Sequence, residues 1–334
     1  MSLSLSFAPF RGITNKTYRR AFQTHIGGFD RYYAPFVTGS GQQHVHPSKL
    51  EDLDTAKGNR TYTIPQILSN DAAEIAAFAR AVSGMGYEMI NWNLGCPFRR
   101  ITHKKRGSGL LPYPDAIRRI LEQLFRHEIF ASRKMSLSVK TRTGYFDAGE
   151  IYAVIDILNL FPLKEIILHP RTGLQLYSGE ADPGRYADVK SRCRHKLIYN
   201  GDIINTTSFR FLQGTIEGQS HWMIGRGALI NPFLANEIRG VAIPADEKRE
   251  RLHAFHRSLW EHAKNAIPGE QRQTGWMKAI WHYMSGLFSD SVKVFAAIKR
   301  THTEADFLVA ANDAIGQPFA SDRELEEHFR KLTR

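Results

Sequence analysis

The chain has 334 residues, 42% of them hydrophobic and 23% charged, with a formal net charge of +12. This is the composition of an ordinary folded protein rather than a disordered or fibrous one, and no run approaches the ~20 consecutive apolar residues of a membrane span. The opening MSLSLSFAPF lacks the basic-then-apolar pattern of a signal peptide, and two cysteines, Cys96 and Cys193, cannot build a disulfide framework, so a reducing, cytoplasmic setting away from membranes is expected.

Short apolar runs recur at residues 6–12, 31–37, 61–68, 88–95, 135–142, 165–169, 196–200 and 221–225. Strands buried on both faces read this way. Helical spacing lies between them. Asp71 is placed to cap a helix ending near Gly84, and Ile117, Ile120, Leu121 and Leu124 share one face of a helix over 114–127. The repeated alternation predicts an α/β protein with a (β/α)8 TIM barrel over residues 1–243. A doubly wound open sheet is the competitor, weakened because no GxGxxG turn follows any strand. Beyond Pro244 the pattern is helical, over 247–266, 275–288, 291–301 and 304–315. A small all-α bundle over 244–334 is therefore expected. Nearly all of the excess positive charge lies before residue 241, which favours a polyanionic partner without identifying one.

The segment Asn91-Trp92-Asn93-Leu94-Gly95-Cys96-Pro97 closes the strand at 88–95, and a barrel's chemistry sits at the C-terminal ends of its strands. Arg99, Arg100, His103, Lys104, Lys105 and Arg106 follow, then Gly107-Ser108-Gly109-Leu110-Leu111. A free cysteine is usually a small hydrophobe, but one in a basic loop at a barrel mouth is a candidate reactive thiol. Asn200-Gly201-Asp202 and Gly225-Arg226-Gly227 end the last two strands. Barrels often bind phosphate there, with glycine admitting close backbone approach and arginine supplying charge. Lys140 ends the strand at 135–142; an ammonium inside a barrel needs a carboxylate or an anionic ligand. His44 and His46, beside Gln42 and Gln43, lack carboxylates at ligand spacing, so no metal is expected. Gly39-Ser40-Gly41 reads as a flexible loop, and Cys193 as structural.

These motifs, in order, resemble the tRNA-dihydrouridine synthases. The run NxNLGCP, a basic loop and GxxLLxxP form the sharpest match. Ala8-Pro9-Phe10-Arg11-Gly12-Ile13-Thr14, Ser138-Val139-Lys140-Thr141-Arg142-Thr143-Gly144, His169-Pro170-Arg171-Thr172 and the two phosphate-end motifs add to it. The chain departs from the family pattern at Phe10, in place of Met, at Asn15, where Asp is common, and at Pro170, in place of Gly. It also departs near Pro183 and Gly184, where Trp is frequent.

The resemblance implies FMN as cofactor and NADPH (or NADH) as transient reductant. It implies Cys96 as the proton donor. Pro9, Phe10, Arg11, Gln66, Lys140, His169, Asn200, Gly201, Asp202, Gly225 and Arg226 would surround FMN. Asn93 would contact the uracil, and Arg99, Arg100, Lys104, Lys105, Arg106, Arg142 and Arg171 would contact RNA phosphates. The implied activity is reduction of uridines in tRNA to 5,6-dihydrouridine, with the helical tail cradling RNA; a monomer is expected. Two alternatives stand: an FMN barrel reducing a small pyrimidine or enone, and a catalytically silent RNA-binding barrel.

Overall fold

A computed structural model describes residues 2–39, 41, 44–53 and 62–332. Ser40, Gln42, Gln43 and the first residue of the strand expected at 61–68 lie outside the described residues. Nine parallel strands form one sheet: β1 (Ser4–Phe7), β2 (Arg31–Tyr33), β3 (Thr63–Ile64), β4 (Gln66–Ile67), β5 (Met89–Leu94), β6 (Ser136–Gly144), β7 (Glu165–Thr172), β8 (Leu197–Tyr199) and β9 (His221–Ile224). Their order is β3-β2-β1-β9-β8-β7-β6-β5-β4.

The two ends of that order, β3 and β4, are separated only by Pro65, so they are halves of one stave and the sheet closes into an eight-stave barrel. Proline has no N–H to donate, which interrupts the ladder inside a run that reads as a single strand. Its carbonyl still accepts from Asn91 N at 2.8 Å. The eight expected strands are therefore all present, in the expected barrel.

Contacts divide the chain into two compact units. The first comprises Met1–Pro9, Arg31–Gly201 and Leu212–Met223. The first helix, α1 (Lys16–His25), belongs to the second unit; the first holds the barrel strands with α2 (Ala72–Gly84), α3 (Arg99–Thr102), α4 (Pro114–Arg126), α5 (Glu128–Ala131), α6 (Glu150–Leu158) and α7 (Pro183–Arg192). Asp71 caps α2 as expected, its Oδ1 accepting from Ala73 N at 2.8 Å. α4 buries Ile117, Ile120, Leu121 and Leu124. α8 (Thr206–Thr215) runs across the division between the units.

The second unit comprises Phe10–Asp30, Asp202–Phe211 and Ile224–Arg334. It contains α1, then α9 (Arg226–Ile230), α10 (Leu234–Ile238), α11 (Ala245–Ala266), α12 (Glu270–Met284), α13 (Ser291–Arg300), α14 (Glu304–Ile315) and α15 (Asp322–Lys331). The stripe Leu252, Phe255, Leu259, Trp260 and Ala263 of α11 is buried. Tyr18 and Phe22 of α1 meet Phe255 edge-on at ring-centre distances of 5.4 and 5.8 Å, so this unit takes in chain well before residue 244. α15 adds a fifth long helix to the four expected. It begins with a capping box in which Ser321 and Glu324 bind each other's backbone N–H. Among the described residues, no helix is long and apolar enough to cross a membrane.

Candidate active site

Glu165 opens β7, and its carboxylate binds Arg31 at 3.1 and 3.0 Å and the Tyr33 hydroxyl at 2.6 Å. Both partners stand on β2, which is not a neighbour of β7 in the sheet, so these contacts cross the barrel interior. Side chains alternate along a strand, so Ile167, His169 and Arg171 share that inward face with Glu165. The parallel register then carries the face to neighbouring staves: Ser138 is level with Glu165, Lys140 with Ile167 and Arg142 with His169. On β5, Asn91 is level with Ser138 and Asn93 with Lys140, and Gln66 is level with Asn91. Gln66, Asn93, Lys140 and His169, named from sequence, thus share the interior column that rises toward Cys96.

The column is held by a one-way chain of hydrogen bonds. Ser138 Oγ donates to Ile90 O at 3.0 Å and accepts from Asn91 Nδ2 at 2.9 Å. Asn91 Oδ1 accepts from Gln66 Nε2 at 2.7 Å, and Gln66 Oε1 accepts from Asn93 Nδ2 at 2.8 Å. Asn93 Oδ1 then accepts from Gly95 N at 3.0 Å and Cys96 N at 2.9 Å. A backbone carbonyl at one end and backbone N–H groups at the other fix the direction of every amide between. Sequence reasoning missed Asn91 and Ser138. Their signal is polar residues at a spacing of two, Asn91-x-Asn93 and Ser138-x-Lys140-x-Arg142, within otherwise apolar strands.

Cys96 is 6% exposed and packs with Leu68 and Ile101. Its carbonyl accepts from Ser108 N at 3.0 Å and Ser108 Oγ at 3.1 Å. Gly107 closes this turn at φ +57°, where a Cβ would stand 2.6 Å from the Cys96 carbonyl oxygen, so only glycine fits. Several loop cations are engaged by other groups: Arg106 Nε donates to Asn70 Oδ1 at 2.9 Å, Arg99 Nε to His103 at 3.1 Å, and Lys105 lies 4.3 Å over the Tyr113 ring.

Lys140 is half-buried, and among the described residues its ammonium makes no hydrogen bond or ion pair, so the carboxylate partner considered from sequence is not found. Burial and then the neighbouring Arg142 lower its pKa from 10.5 to about 7, with Cys96 opposing. An ammonium left in this state is the feature an anionic ligand edge would complete.

Arg142 and Arg171, expected at RNA phosphates, are buried among backbone carbonyls in this structure. Arg142 is 2% exposed; its guanidinium donates to Gly95 O at 3.1 Å, Thr172 O at 2.8 Å and Leu176 O at 2.6 Å. Arg171 is 1% exposed and donates to Ser178 O at 3.4 Å and Gly179 O at 2.6 Å. Its Nη1 also lies 3.2 Å from His169 Nε2. Guanidinium only donates, so His169 Nε2 accepts and Nδ1 carries the ring proton. Arg99, Arg100, Lys104 and Lys105 are exposed, and Arg106 is half-buried.

Asn200 directly follows β8, its Nδ2 donating to Met223 O at 2.9 Å. At Gly201 a Cβ would come within 2.8 Å of Ala181 Cβ and the Tyr199 hydroxyl. Pro9 is half-buried. In the second unit Arg226 pairs with Asp202 at 3.0 Å, and its guanidinium lies 4.1 Å over the Phe329 ring. Gly225 precedes it as the N-cap of α9. Phe10 meets Tyr283 edge-on at 6.1 Å, and Arg11 is exposed. Cys193 donates to His195 O at 3.6 Å, and burial raises its thiol pKa. Among the described residues no group of His, Cys, Asp and Glu is arranged to hold a metal ion.

A family model described as dihydrouridine synthase matches residues 6–322. A tRNA-dihydrouridine synthase B of Serratia marcescens is 32% identical over 237 residues, covering 70% of this chain and 67% of that protein. The same-named protein of Pasteurella multocida (strain Pm70) is 29% identical over 228 residues, 68% of this chain and 66% of its own length. The chain thus spans about two thirds of these relatives. A tRNA-dihydrouridine(16) synthase of Neisseria meningitidis serogroup A is 28% identical, covering 70% of each chain. Among solved structures, a histamine dehydrogenase from Rhizobium sp. 4-9 shares the fold with TM-score 0.54 at 8% identity, over 76% of this chain and 48% of that one. The family match runs through the barrel, the column beneath Cys96 and most of the helical tail, and the chain belongs to the dihydrouridine synthase family.

Proposed function

We propose that this protein reduces uridine in tRNA to 5,6-dihydrouridine, with Cys96 delivering the proton to C5 of the uracil. The observation that carries the reading is the family match over 6–322, together with Lys140 and His169 on one interior face of the barrel and Cys96 in the loop that follows β5. Bound FMN, re-reduced by NADPH (or NADH), would supply the hydride to C6. Lys140 fits the flavin: its ammonium would stabilise the edge of the ring where negative charge gathers on reduction, and Gln66 and His169 would border the same ring.

Asn200 and Gly201 are proposed to approach the flavin phosphate, as is Arg226 with Gly225 and Asp202. Pro9, Phe10 and Arg11 are proposed for the flavin's surroundings. Cys96 donates its thiol proton as the C5–H bond forms, leaving a thiolate that solvent reprotonates. The Asn93 turn and the Ser108 contacts hold the thiol's backbone in place for that transfer. Arg99, Arg100, Lys104, Lys105 and Arg106 remain the candidate phosphate contacts, with the helices of 244–334 as a candidate RNA cradle. The target base must leave its stack to reach Cys96.

The test is mass spectrometry of tRNA from cells lacking the gene, complemented with wild type or Cys96→Ala. Dihydrouridine restored by wild type alone is expected. Unchanged tRNA in the deletion strain, with no second synthase present, overturns the assignment.

A further inference from the structure

Between the basic loop that follows Cys96 and the start of α4, the first unit carries a cavity of about 550 Å³. Its lining includes Asn70, Lys105, Tyr113, Asp115, Arg119 and Gln123. The volume falls in the range of small-ligand sites. Tyr113 is 41% exposed, and Lys105 Nζ lies 4.3 Å above its ring centre.

Lys105 adopts φ +50°, a left-handed backbone that lysine seldom takes. Neighbouring contacts hold it there: Asn70 Nδ2 donates to Lys104 O at 3.1 Å, Lys105 N donates to Thr102 O at 2.9 Å, and Arg106 Nε donates to Asn70 Oδ1 at 2.9 Å. Such a conformation persists only where the surroundings enforce it, and it marks functional positions more often than others. Here it sets a cation above an aromatic platform.

We propose that this cavity binds one unstacked nucleotide, its base on Tyr113 and its phosphate between Lys105 and Arg119. Asp115 accepts from a ribose hydroxyl, and the amide of Asn70 or Gln123 meets the base edge. Base-on-ring stacking is stronger than the exposed cation–ring contact it replaces, and it frees Lys105 for the phosphate. The lone carboxylate argues against a bare phosphate run, because it would repel one, whereas a nucleotide offers it a donor. This rests on the tRNA reading above, with the nucleotide a base of that RNA near the target. The adenosine phosphate of the nicotinamide dinucleotide has the same chemistry.

The experiment is equilibrium binding of a fluorescein-labelled, unmodified tRNA transcript, and separately of NADP+, to the full-length flavoprotein and its variants. Tyr113→Ala is expected to weaken tRNA about tenfold, while Tyr113→Phe, which keeps the ring, stays near wild type. Arg119→Ala should weaken tRNA and lower the slope of log affinity against log salt by roughly one. A loss confined to NADP+ supports the same site with the dinucleotide as its source. If wild type binds tRNA and Tyr113→Ala matches it in both arms, the cavity proposal fails while the tRNA reading stands. Wild type that binds neither probe overturns both.

Discussion

Asn93 and Gln66 are joined by a hydrogen bond of 2.8 Å from Asn93 Nδ2 to Gln66 Oε1, and the other end of the Asn93 amide accepts from the backbone of Gly95 and Cys96. The asparagine expected to meet the uracil is therefore also the brace of the cysteine turn. Asn93→Ala removes the acceptor for two N–H groups and leaves Gln66 Oε1 buried without its donor. A destabilisation of roughly 1–3 kcal/mol is expected in urea unfolding, together with loss of turnover. An unchanged unfolding midpoint would show that the amide serves the substrate alone.

At the opposite end of the barrel, Glu165 gathers Arg31, Tyr33 and Lys196, the last at 2.9 Å. Burial pushes its carboxyl pKa up, but Arg31, the Tyr33 hydroxyl and Lys196 more than offset this and hold it below 4.5. A folded-state pKa below the unfolded one gives stability that is complete above about pH 4.5 and lost as pH falls through the depressed value. Glu165→Gln should cost roughly 1–3 kcal/mol at neutral pH, because it weakens the charged hydrogen bonds of Arg31 and Lys196, both of which keep partial access to water. Unfolding measured against pH should show wild type and variant converging in acid. A gap independent of pH would refute the ionic account.

The staves were legible because strands buried on both faces, such as Ile166–Leu168 with no exposed residue, read as short apolar runs. The break at Pro65 was not, since apolar pattern continues across a residue that only fails to donate. α15 escaped notice because Leu325 and Phe329 are its main apolar contribution amid charge, although Ser321-x-x-Glu324 announces a helix start. α1 lies within the stretch 1–243 expected to form the barrel; its packing on Phe255, more than 200 residues away, is a long-range fact no local pattern carries. The site was legible as motifs, but the direction of the amide chain depends on register between β4, β5 and β6.

Lys140 makes a prediction about protons. With its pKa lowered to about 7, the side chain is part neutral at physiological pH. Folding depresses this pKa from 10.5, so the buried charge weighs against the folded state below pH 7, and that penalty fades as pH rises toward 10.5. An anionic flavin edge beside it would favour the ammonium and draw in a proton. Calorimetric titration of reduced FMN, kept anaerobic, into flavin-free protein, repeated in buffers of different ionisation enthalpy near pH 7.5, should therefore report net proton uptake. Lys140→Met should remove that uptake and weaken FMN. Equal proton uptake by wild type and Lys140→Met would place the flavin's anionic edge elsewhere.

Arg142 and Arg100 separate structural from electrostatic arginines. Three carbonyls, from Gly95, Thr172 and Leu176, fix the buried Arg142 between the cysteine loop and the loop after β7. Arg142→Ala should lower stability and turnover by loosening both loops, yet leave the salt dependence of tRNA binding as it was, because its guanidinium is spent on those carbonyls. Arg100 is exposed on α3, and Arg100→Ala should reduce the slope of log affinity against log salt by roughly one while leaving the unfolding midpoint unchanged. Binding measured from low to moderate salt distinguishes them. A slope altered by Arg142→Ala at constant stability would mean that its guanidinium leaves the three carbonyls and turns to the RNA when the complex forms.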